Sequence, residues 1–401
     1  MTAPTLWKTR CKFKTMLNHN RRRLRIAQVA PLYESVPPNL YGGTERVVAY
    51  LTEELVHRGH QVTLFAAGDS STAATLKATH PKSLRATGMV SWGNGLHLPM
   101  LSEVFDHADR FDVIHCHLDY WSFPFARMVK TPSVTTLHGR LDIPELLDVY
   151  RYYSGAFVVS ISNAQRAPLR ELNWVGTVHH GLPADQLTFQ PDRGKYLAFL
   201  GRIAPEKRPD LAIEIARRAG IPLKIAAKVD AVDQEYFDSK IRPLLKTDDV
   251  EFIGEIGERE KNEFLGNATA LLFPIDWPEP FGLVMIEALA CGTPVIARPC
   301  GSVPEVLRHG VTGLVASDID GLVQAVQAVS SLSRQRCRAE FEARFTAGVM
   351  AENYEQIYSQ LIDDSRTARH SDGRSPRRGA EEEAVIEDER SQHWRSDLEN
   401  A

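Results

Sequence analysis

Short apolar runs rich in β-branched residues alternate with amphipathic stretches along most of this chain, and this alternation limits the folds open to it. One example is the run at residues 25–30, after which a loop rich in proline and glycine leads to residues 47–55, where apolar side chains recur at helical spacing. Such alternation is typical of βα units, which build a parallel sheet covered by helices. The sequence therefore predicts an α/β fold.

The pattern occurs in two blocks. The first predicts strands at residues 25–30, 62–66, 112–117, 133–138 and 157–161. The second predicts strands at residues 196–200, 223–227, 250–253, 270–273, 294–297 and 313–315, with helices at residues 209–218, 234–245, 259–265 and 282–290. Residues 182–194 are polar and lack periodicity, and we interpret them as a linker. We predict two Rossmann-like domains, residues 24–181 and 195–347, facing each other across a cleft that takes ligands at the carboxyl ends of the strands.

The two ends of the chain differ from the middle. Residues 1–23 contain seven basic and no acidic side chains. They predict either an arm that contacts anionic lipid at a membrane surface or a solvated extension, with Met16 as the true start. Residues 348–362 carry apolar side chains at helical spacing and predict a final helix. Residues 363–401 mix Ser, Arg, Gly and acidic residues with few apolar ones and predict a disordered tail.

Composition excludes several classes of function. With 43% hydrophobic residues and a net charge of −4, the chain is an ordinary globular protein without a global field for nucleic acid. Its five cysteines are scattered and form no C-x-x-C pair, which argues against a disulfide framework or a zinc knuckle. The longest apolar stretch, residues 283–297, contains Glu287 and is too short to span a bilayer. Without a signal-peptide pattern as well, we expect a cytoplasmic location.

A glycine pair precedes the first helix. Gly42, Gly43 and Thr44 follow the first strand, where backbone N–H groups at a helix start could meet an anion and Thr44 could cap the helix. The alternative is a flexible loop that ends in an ordinary cap. A G-x-G-x-x-G motif, which a dinucleotide oxidoreductase would need at such a turn, does not occur in either block.

Two basic residues follow the first strand of the second block. Arg202 and Lys207 would emerge at the carboxyl edge of the sheet, where a phosphate would lie. An Arg fork beside a Lys point charge suits a diphosphate whose negative charge grows as it departs. The alternative is surface ion pairing with Glu206 and Asp210.

Two glutamates, eight residues apart, flank the start of a predicted helix. Gly282 and Leu283 leave that helix start without a capping side chain, so their N–H groups could approach an anion. In the alternative interpretation Glu279 only complements the helix dipole and Glu287 is solvated. Because Glu287 lies in a strongly apolar helix, where an unpaired carboxylate would be costly, we predict that it has a partner.

From about residue 25 to residue 361 the chain resembles the retaining glycosyltransferases of the GT-B class, specifically family 4, the group 1 glycosyltransferases. The resemblance depends on ordered features: the Gly42-Gly43 loop, the strand ending at His138, Gly201-Arg202 with Lys207, the Glu279/Glu287 pair, Gly292-Thr293-Pro294, and the segment Gly301-Ser302-Val303-Pro304-Glu305. It implies the GT-B fold, with two facing Rossmann-like domains, parallel sheets and a cleft between them. It also implies that residues 348–362 pack back on the first domain.

The resemblance implies roles for the residues above. In the second domain, which would bind a nucleotide sugar, Glu287 would contact the ribose hydroxyls and Glu279 the hydroxyls of the transferred sugar. Arg202 and Lys207 would hold the diphosphate, while His138 would contact the sugar from the first domain. The remaining predicted donor contacts are backbone groups, at Gly42, Gly43, Gly282 and Leu283.

The implied activity is retaining transfer of a hexose from a nucleoside-diphosphate sugar, with a UDP-sugar favoured, to a hydroxyl of an unidentified acceptor. The acceptor would be a small molecule, a glycan or a lipid-linked molecule, and no metal or other cofactor would be needed. Alternatives are a nucleotide-sugar epimerase or a phosphorylase on the same fold, and a non-catalytic sugar- or nucleotide-binding protein.

Other constellations permit different interpretations. The segment from His115 to Asp119 could hold a metal, since strand periodicity places His115 and His117 on one face, but we favour packing or acceptor contacts as the explanation. Asp318 and Asp320 form a D-x-D pattern that we interpret as a helix cap. Residues 178–183 and 226–230 depart from the family pattern, and from them we assign no base-binding residue.

Overall fold

The computed structural model describes residues 22–40, 42–192 and 194–372. Residues 1–21 of the basic arm and most of the predicted tail therefore lie outside the described residues. Within those ranges the chain forms two parallel sheets, one of seven strands and one of six. No helix in the described ranges is both long and apolar enough to cross a membrane.

The first domain contains a seven-stranded sheet in the order β3-β2-β1-β4-β5-β6-β7. Its strands are β1 (Arg25–Val29), β2 (Gln61–Phe65), β3 (Thr75–Lys77), β4 (Val113–Cys116), β5 (Ser133–Thr136), β6 (Phe157–Ser160) and β7 (Trp174–Thr177). Its α-helices are α1 (Gly43–His57), α2 (Gly93–Asp106), α3 (Phe123–Ala126), α4 (Pro144–Tyr152) and α5 (Asn163–Arg166). Strand order reverses between β1 and β4, which makes that point the ligand-binding crevice of this sheet.

The second domain repeats this architecture in the order β10-β9-β8-β11-β12-β13. Its strands are β8 (Tyr196–Arg202), β9 (Leu223–Lys228), β10 (Val250–Gly254), β11 (Ala268–Phe273), β12 (Val295–Ala297) and β13 (Gly313–Val315). The helices that follow β8 are α6 (Pro209–Ala219), α7 (Gln234–Tyr236), α8 (Glu258–Gly266), α9 (Leu283–Ala290), α10 (Val303–Val306), α11 (Ile319–Ala328), α12 (Arg334–Arg344) and α13 (Ala347–Asp372). Here the order reverses between β8 and β11, opposite the crevice of the first domain.

Every strand predicted from the sequence is present, with ends within two residues of the prediction. Two strands were missed, β3 and β7, both at the edges of the first sheet. Neither carries the continuous apolar run of a strand that is buried on both faces, and all four residues of β7 are only half-buried.

The prediction of one continuous helix at residues 234–245 is wrong. A single α-helical turn at α7 passes into a π-helical segment, Phe237–Ile241, and then into a 3-10 turn, Arg242–Leu245. Pro243 lies in that last turn, and since proline has no N–H to donate, it interrupts an α-helical ladder.

The helix α13 returns to the first domain and completes its core. Tyr354, Tyr358 and Leu361 are buried there against the apolar face of α1, which includes Leu51 and Leu55. The helix continues to Asp372, past residue 362, where the sequence predicted a disordered tail to begin. Each residue added to an existing helix gains one backbone hydrogen bond, so a polar stretch can extend a helix that packing has already nucleated.

An interdomain contact forms where α5 of the first domain begins. The Glu305 carboxylate, on α10 of the second domain, accepts hydrogen bonds from the backbone N–H groups of Asn163 and Ala164, both 2.7 Å long. Burial alone would raise the pKa of Glu305, but hydrogen bonds from His179, Asn163 and Ala164 outweigh burial and hold it at about 2. The ionised carboxylate therefore joins the two domains.

We expect Glu305→Gln to weaken this contact and to lower the free energy of unfolding at pH 7 by about 1–3 kcal/mol, since it removes a charged acceptor from two backbone N–H donors at the start of α5. Because the folded pKa lies below the ordinary value of 4.5, the stabilisation is present above pH 4.5 and is lost as the pH falls towards 2. Denaturant unfolding of wild type and variant across this pH range measures the difference.

Glu342→Gln is the matched control, because that carboxylate is 55% exposed and pairs with Arg338 on its own helix. It should change stability by less than about 0.5 kcal/mol. A loss at Glu305 that stays constant from pH 7 to pH 2 would show that the charge is not what joins the domains.

Candidate functional site

A cleft of about 640 Å³ lies between the carboxyl ends of the two sheets. The nine residues predicted from the sequence line it together: Gly42, Gly43, His138, Arg202, Lys207, Glu279, Gly282, Leu283 and Glu287. They come from four separate stretches of the chain and from both domains. The fold thus brings the whole predicted set into one cavity.

Glu279 follows β11 and is 9% exposed. Its Oε2 accepts hydrogen bonds from Lys207 Nζ and, at 2.7 Å, from Trp277 Nε1. The Lys207 ammonium also lies 4.5 Å from the centre of the Trp277 ring. The carboxylate is therefore held by an adjacent cation and an indole, and does not merely complement the dipole of α9.

Glycine and serine hold the loop that carries Glu279. Gly301 has a φ of +56°, and a Cβ there would lie 2.3 Å from the carbonyl oxygen of Glu279. The next residue, Ser302, donates its N–H to that carbonyl at 3.0 Å and its hydroxyl to the carbonyl of Phe281 at 2.7 Å. Only glycine permits this close approach, which explains why the Gly301-Ser302 pair is needed behind Glu279.

Arg202 is the last residue of β8 and points into an acidic neighbourhood. Its guanidinium pairs with Glu206 at 2.5 Å and lies 3.6 Å from Asp233. Of the two partners in the salt-bridge alternative, Glu206 is therefore correct and Asp210 is wrong. Asp210 pairs with Arg208, 3.0 Å away, because the left-handed conformation of Arg208 before α6 places its side chain over the start of that helix.

Glu287 on α9 has the partner that its apolar surroundings required. It is 4% exposed, and Lys261 Nζ on α8 lies 2.7 Å from its Oε1. Lys261 also pairs with Glu258 at 2.6 Å, and Glu258 pairs at 2.7 Å with Arg46, which belongs to α1 of the first domain. A chain of alternating charges thus runs across the cleft. Its members other than Glu287 were missed, since nothing local marks residues so far apart as partners.

Burial alone would lower the pKa of Lys261, but the carboxylates of Glu287 and Glu258 outweigh burial and raise it above the ordinary value. The ammonium is therefore charged at neutral pH. It holds Glu287 at the wall of the cleft through Oε1.

The two glycine-rich helix starts face each other. α1 begins at Gly43 with no side chain capping it, and a Cβ on Gly43 would lie 3.7 Å from a methyl group of Leu283. Gly282 adopts the left-handed region at φ +78° and starts α9, again without a side-chain cap. The predicted cap by Thr44 is not formed, because the helix begins one residue earlier and Thr44 falls within its first turn.

His138 belongs to a cluster of neutral imidazoles. Burial lowers its pKa to about 3, and its Nε2 lies 2.8 Å from His117 Nδ1. His117 in turn bonds Gln28, and His115 bonds Thr136 at 2.7 Å. His115 and His117 do share one face, as predicted, with ring centres 4.1 Å apart. In the described part of the chain, however, no group of three or more potential ligands is arranged to hold a metal.

Two carboxyl groups of the first domain also line the cleft: Glu45, which was not predicted as a site residue, and Asp119, which was considered only as part of the segment from His115 to Asp119. Asp119 has a φ of +48°, rare for a residue with a side chain, and burial raises its pKa to about 6. Burial also raises the pKa of Glu45 to about 7. Such strained and desolvated groups concentrate at functional sites. The sequence signal for Asp119 is its position just after β4.

The D-x-D pattern does not line the cleft. Asp318 caps α11 by accepting the N–H of Gly321 at 2.8 Å, as predicted, and Asp320 pairs with Arg218. Of the two segments that depart from the family pattern, residues 226–228 line the cleft, as does His180, while His179 lies 3.6 Å from Glu305.

We expect Lys261→Met to lower the free energy of unfolding by about 3–5 kcal/mol, because it takes the cation away from the nearly inaccessible Glu287 carboxylate, while Glu258 keeps its ion pair with Arg46. Lys224→Met is the matched control, since Lys224 pairs with Glu251 in a setting where both side chains are more than a third exposed. That variant should change stability by less than about 1 kcal/mol. Equal effects of the two substitutions in urea unfolding would contradict the argument.

Comparisons with known proteins agree with this geometry. The family model "Glycosyl transferases group 1" matches residues 185–344, and "Glycosyltransferase Family 4" matches residues 41–175. Among curated relatives, the glycogen synthase of Mycobacterium tuberculosis is 25% identical, covering 82% of this chain and 94% of its own length. The phosphatidyl-myo-inositol mannosyltransferase of Mycobacterium leprae is 25% identical, with coverages of 84% and 96%.

Solved structures show the same fold. AviGT4, a glycosyltransferase involved in avilamycin A biosynthesis, superposes with a TM-score of 0.68 at 24% identity, covering 85% of this chain and 98% of its own. HepE of Anabaena, solved in complex with UDP and glucose, gives a TM-score of 0.66 at 17% identity, with coverages of 84% and 100%. These likenesses show the GT-B fold, while the two family models, which together match most of the chain, place it in the group 1 glycosyltransferases, family 4, and it is a glycosyltransferase.

Proposed function

We propose that this glycosyltransferase transfers a hexose from a nucleoside-diphosphate sugar to an acceptor hydroxyl, retains the anomeric configuration and needs neither a metal nor another cofactor. The observation that carries the proposal is that Arg202, Lys207, Glu279 and the uncapped start of α9 line one cleft. A UDP-sugar is favoured because HepE of Anabaena, which shares the fold, was solved with UDP and glucose. We place the reaction in the cytoplasm.

Donor binding would exchange partners at the Lys207–Glu279 ion pair. A diphosphate carries more charge than one carboxylate and suits the Arg202 fork together with the Lys207 ammonium. As Lys207 turns to the phosphate, Glu279 loses a cation and its oxygens become acceptors for sugar hydroxyls. Without a ligand, Lys207 and Glu279 neutralise each other in the donor site. The bound donor would separate them, with its diphosphate facing Lys207 and its sugar hydroxyls facing Glu279.

Glu287 would hold the ribose. Its Oε1 faces Lys261 at 2.7 Å, so Oε2 is the oxygen available to the two ribose hydroxyls. The N–H groups at the starts of α9 and α1 would meet the phosphates. A side chain at position 43 would come into contact with Leu283, so glycine there keeps the space between the two helix starts open.

The chemistry requires no nucleophile from the protein. As the diphosphate departs, an oxocarbenium-like centre would form, and the acceptor would attack on the same face while the phosphate oxygen takes its proton. Arg202 and Lys207 would stabilise the charge that grows on the leaving group. Glu279 would keep its hydrogen bond from Trp277 after Lys207 turns to the phosphate, and we assign it as a hydrogen-bonding and electrostatic partner of the sugar.

The acceptor would occupy the first-domain side of the cleft, which includes Asp119, Glu45 and His138. It would be a small molecule, a glycan or a lipid-linked molecule, and the basic residues 1–23 would help it to reach a membrane surface in the last case. A non-catalytic binding protein does not fit the family, and no feature of the cleft specifically favours an epimerase or a phosphorylase.

The donor and the stereochemistry can be tested together. A thermal-shift screen of UDP-, GDP- and ADP-sugars should give the largest rise in Tm with a UDP-sugar, since binding to the folded state alone stabilises it. NMR of the product's anomeric proton should then show the configuration of the donor. An inverted product, or a glycosyl ester trapped on Glu279, would contradict the proposed mechanism.

Removal of the diphosphate contacts should act mainly on turnover. We expect Arg202→Ala or Lys207→Ala to lower kcat by about 10²- to 10³-fold, because the charge they meet is largest in the transition state. Arg217→Ala is the control, since Arg217 pairs with Asp249 at 3.1 Å on a helix surface outside the cleft, and it should leave kcat unchanged. If folded Arg202→Ala and Lys207→Ala variants had the wild-type kcat, these residues would not stabilise the departing diphosphate.

Activity should survive excess EDTA. Two cationic side chains and two helix starts already supply the positive charge that a divalent ion would otherwise bring to the diphosphate. The assay compares initial rates with and without EDTA, and then after addition of Mg²⁺ or Mn²⁺. Complete loss followed by recovery on metal addition would show that the mechanism depends on a metal.

A further inference from the structure

His138 presents a question of proton placement. It lies on the wall of the cleft, its Nε2 bonds His117, and its Nδ1 is buried with no hydrogen-bond partner among the described residues. A neutral imidazole has one donor and one acceptor nitrogen. The tautomer therefore decides whether Nδ1 offers a ligand a lone pair or a proton.

Gln28 and His117 answer this question. Gln28 Oε1 is a carbonyl oxygen and can only accept, so His117 Nε2, at 2.9 Å, must carry the proton. His117 Nδ1 is then an acceptor, and the proton in its 2.8 Å contact with His138 belongs to His138 Nε2. His138 Nδ1 is left with its lone pair.

The Gln28 amide has hydrogen-bond partners on its far side as well. Its nitrogen donates to the hydroxyl of Tyr358 at 3.1 Å and lies 3.4 Å from His115 Nδ1. Tyr358 Oη is 2.7 Å from the same His115 nitrogen. Gln28, His115 and Tyr358 are all fully buried, so water cannot replace these contacts. In this orientation the amide nitrogen faces Tyr358 on α13 and the amide oxygen faces His117.

The donor and acceptor assignments hold because the imidazoles are not protonated near pH 7. Burial lowers the pKa of His138 to about 3, and burial, together with the neighbouring imidazoles, lowers the pKa of His117 and of His115 well below the ordinary value. His180, whose ring stacks on His138 at 5.3 Å, is likewise shifted downward by burial. All four rings are neutral near pH 7, and each nitrogen has one role.

We propose that Gln28 and His117 are positioning residues that hold His138 in the Nε2–H tautomer, so that Nδ1 accepts a hydrogen bond from a hydroxyl of the bound sugar. The identity of the ligand as a sugar rests on the proposed function, whereas the tautomer does not. A lone-pair acceptor at this point selects ligands that have a hydroxyl there over those that have hydrogen or fluorine.

NMR of the full-length, ligand-free protein tests the tautomer directly. Long-range ¹H–¹⁵N correlations of the imidazoles at pH 7.5 should show the His138 proton on Nε2. His97 supplies an internal reference of the opposite kind, because the Leu32 N–H donates to its Nε2 and its Nδ1 faces the Gly93 carbonyl. A proton on His138 Nδ1 in the wild-type protein would overturn the proposal.

Two substitutions at His117 separate positioning from packing. Asparagine places Oδ1 near the position of Nδ1 and still accepts from His138, whereas leucine accepts nothing. We expect His117→Leu to lose the Nε2–H signature and to lower kcat/KM by about 10- to 100-fold, as for other groups that orient a functional histidine. His117→Asn should keep the signature and most of the activity with the donor found by the thermal-shift screen.

Equal losses in the two folded variants, with the wild-type tautomer in both, would overturn the proposal. If His117→Leu does not fold, the wild-type tautomer still decides it. If no nucleotide sugar binds or reacts, the proposed function fails, but the NMR result stands by itself.

Discussion

The pairing of buried carboxylates with cations is the constraint on which the rest of this cleft depends. Glu279 and Glu287 are 9% and 4% exposed, and a carboxylate in such surroundings is tolerated only with a close counter-charge. Lys207 and Lys261 supply it from two different structural elements. Because each lysine must come within bonding distance, the loop after β8, the helix α8 and the helix α9 are held together around a site that is polar inside an apolar domain.

The same electrostatics connect the domains. On one side of the cleft, Glu258 joins Lys261 to Arg46 of the first domain, and on the other, Glu305 accepts from the start of α5. Both contacts combine a carboxylate of the second domain with a donor of the first. The strength of both contacts therefore depends on the ionisation of Glu258 and Glu305. Because ion pairs and hydrogen bonds act over short distances and in fixed directions, these contacts set the width of the cleft.

Much of this arrangement follows from the sequence, and the remainder has physical reasons for being hidden. Strands buried on both faces have apolar runs that reveal them, whereas the edge strands β3 and β7 do not. The site residues lie at strand ends and helix starts, where periodicity locates them, and the need of Glu287 for a partner was foreseeable from its apolar neighbours. That Lys261 is the partner, or that Asp119 adopts φ +48°, depends on how distant segments pack and has no local signature.

The return of α13 has a consequence for how the chain is made. Gln28, on the first strand, hydrogen-bonds Tyr358, which lies 330 residues further along. During synthesis the first domain leaves the ribosome long before α13, the helix that completes its core, has been made. Until then His115, Gln28 and the apolar face of α1 lack the contacts that α13 provides. The first domain therefore reaches its final form only after the second has been made, and the last helix closes the imidazole cluster at the end of folding.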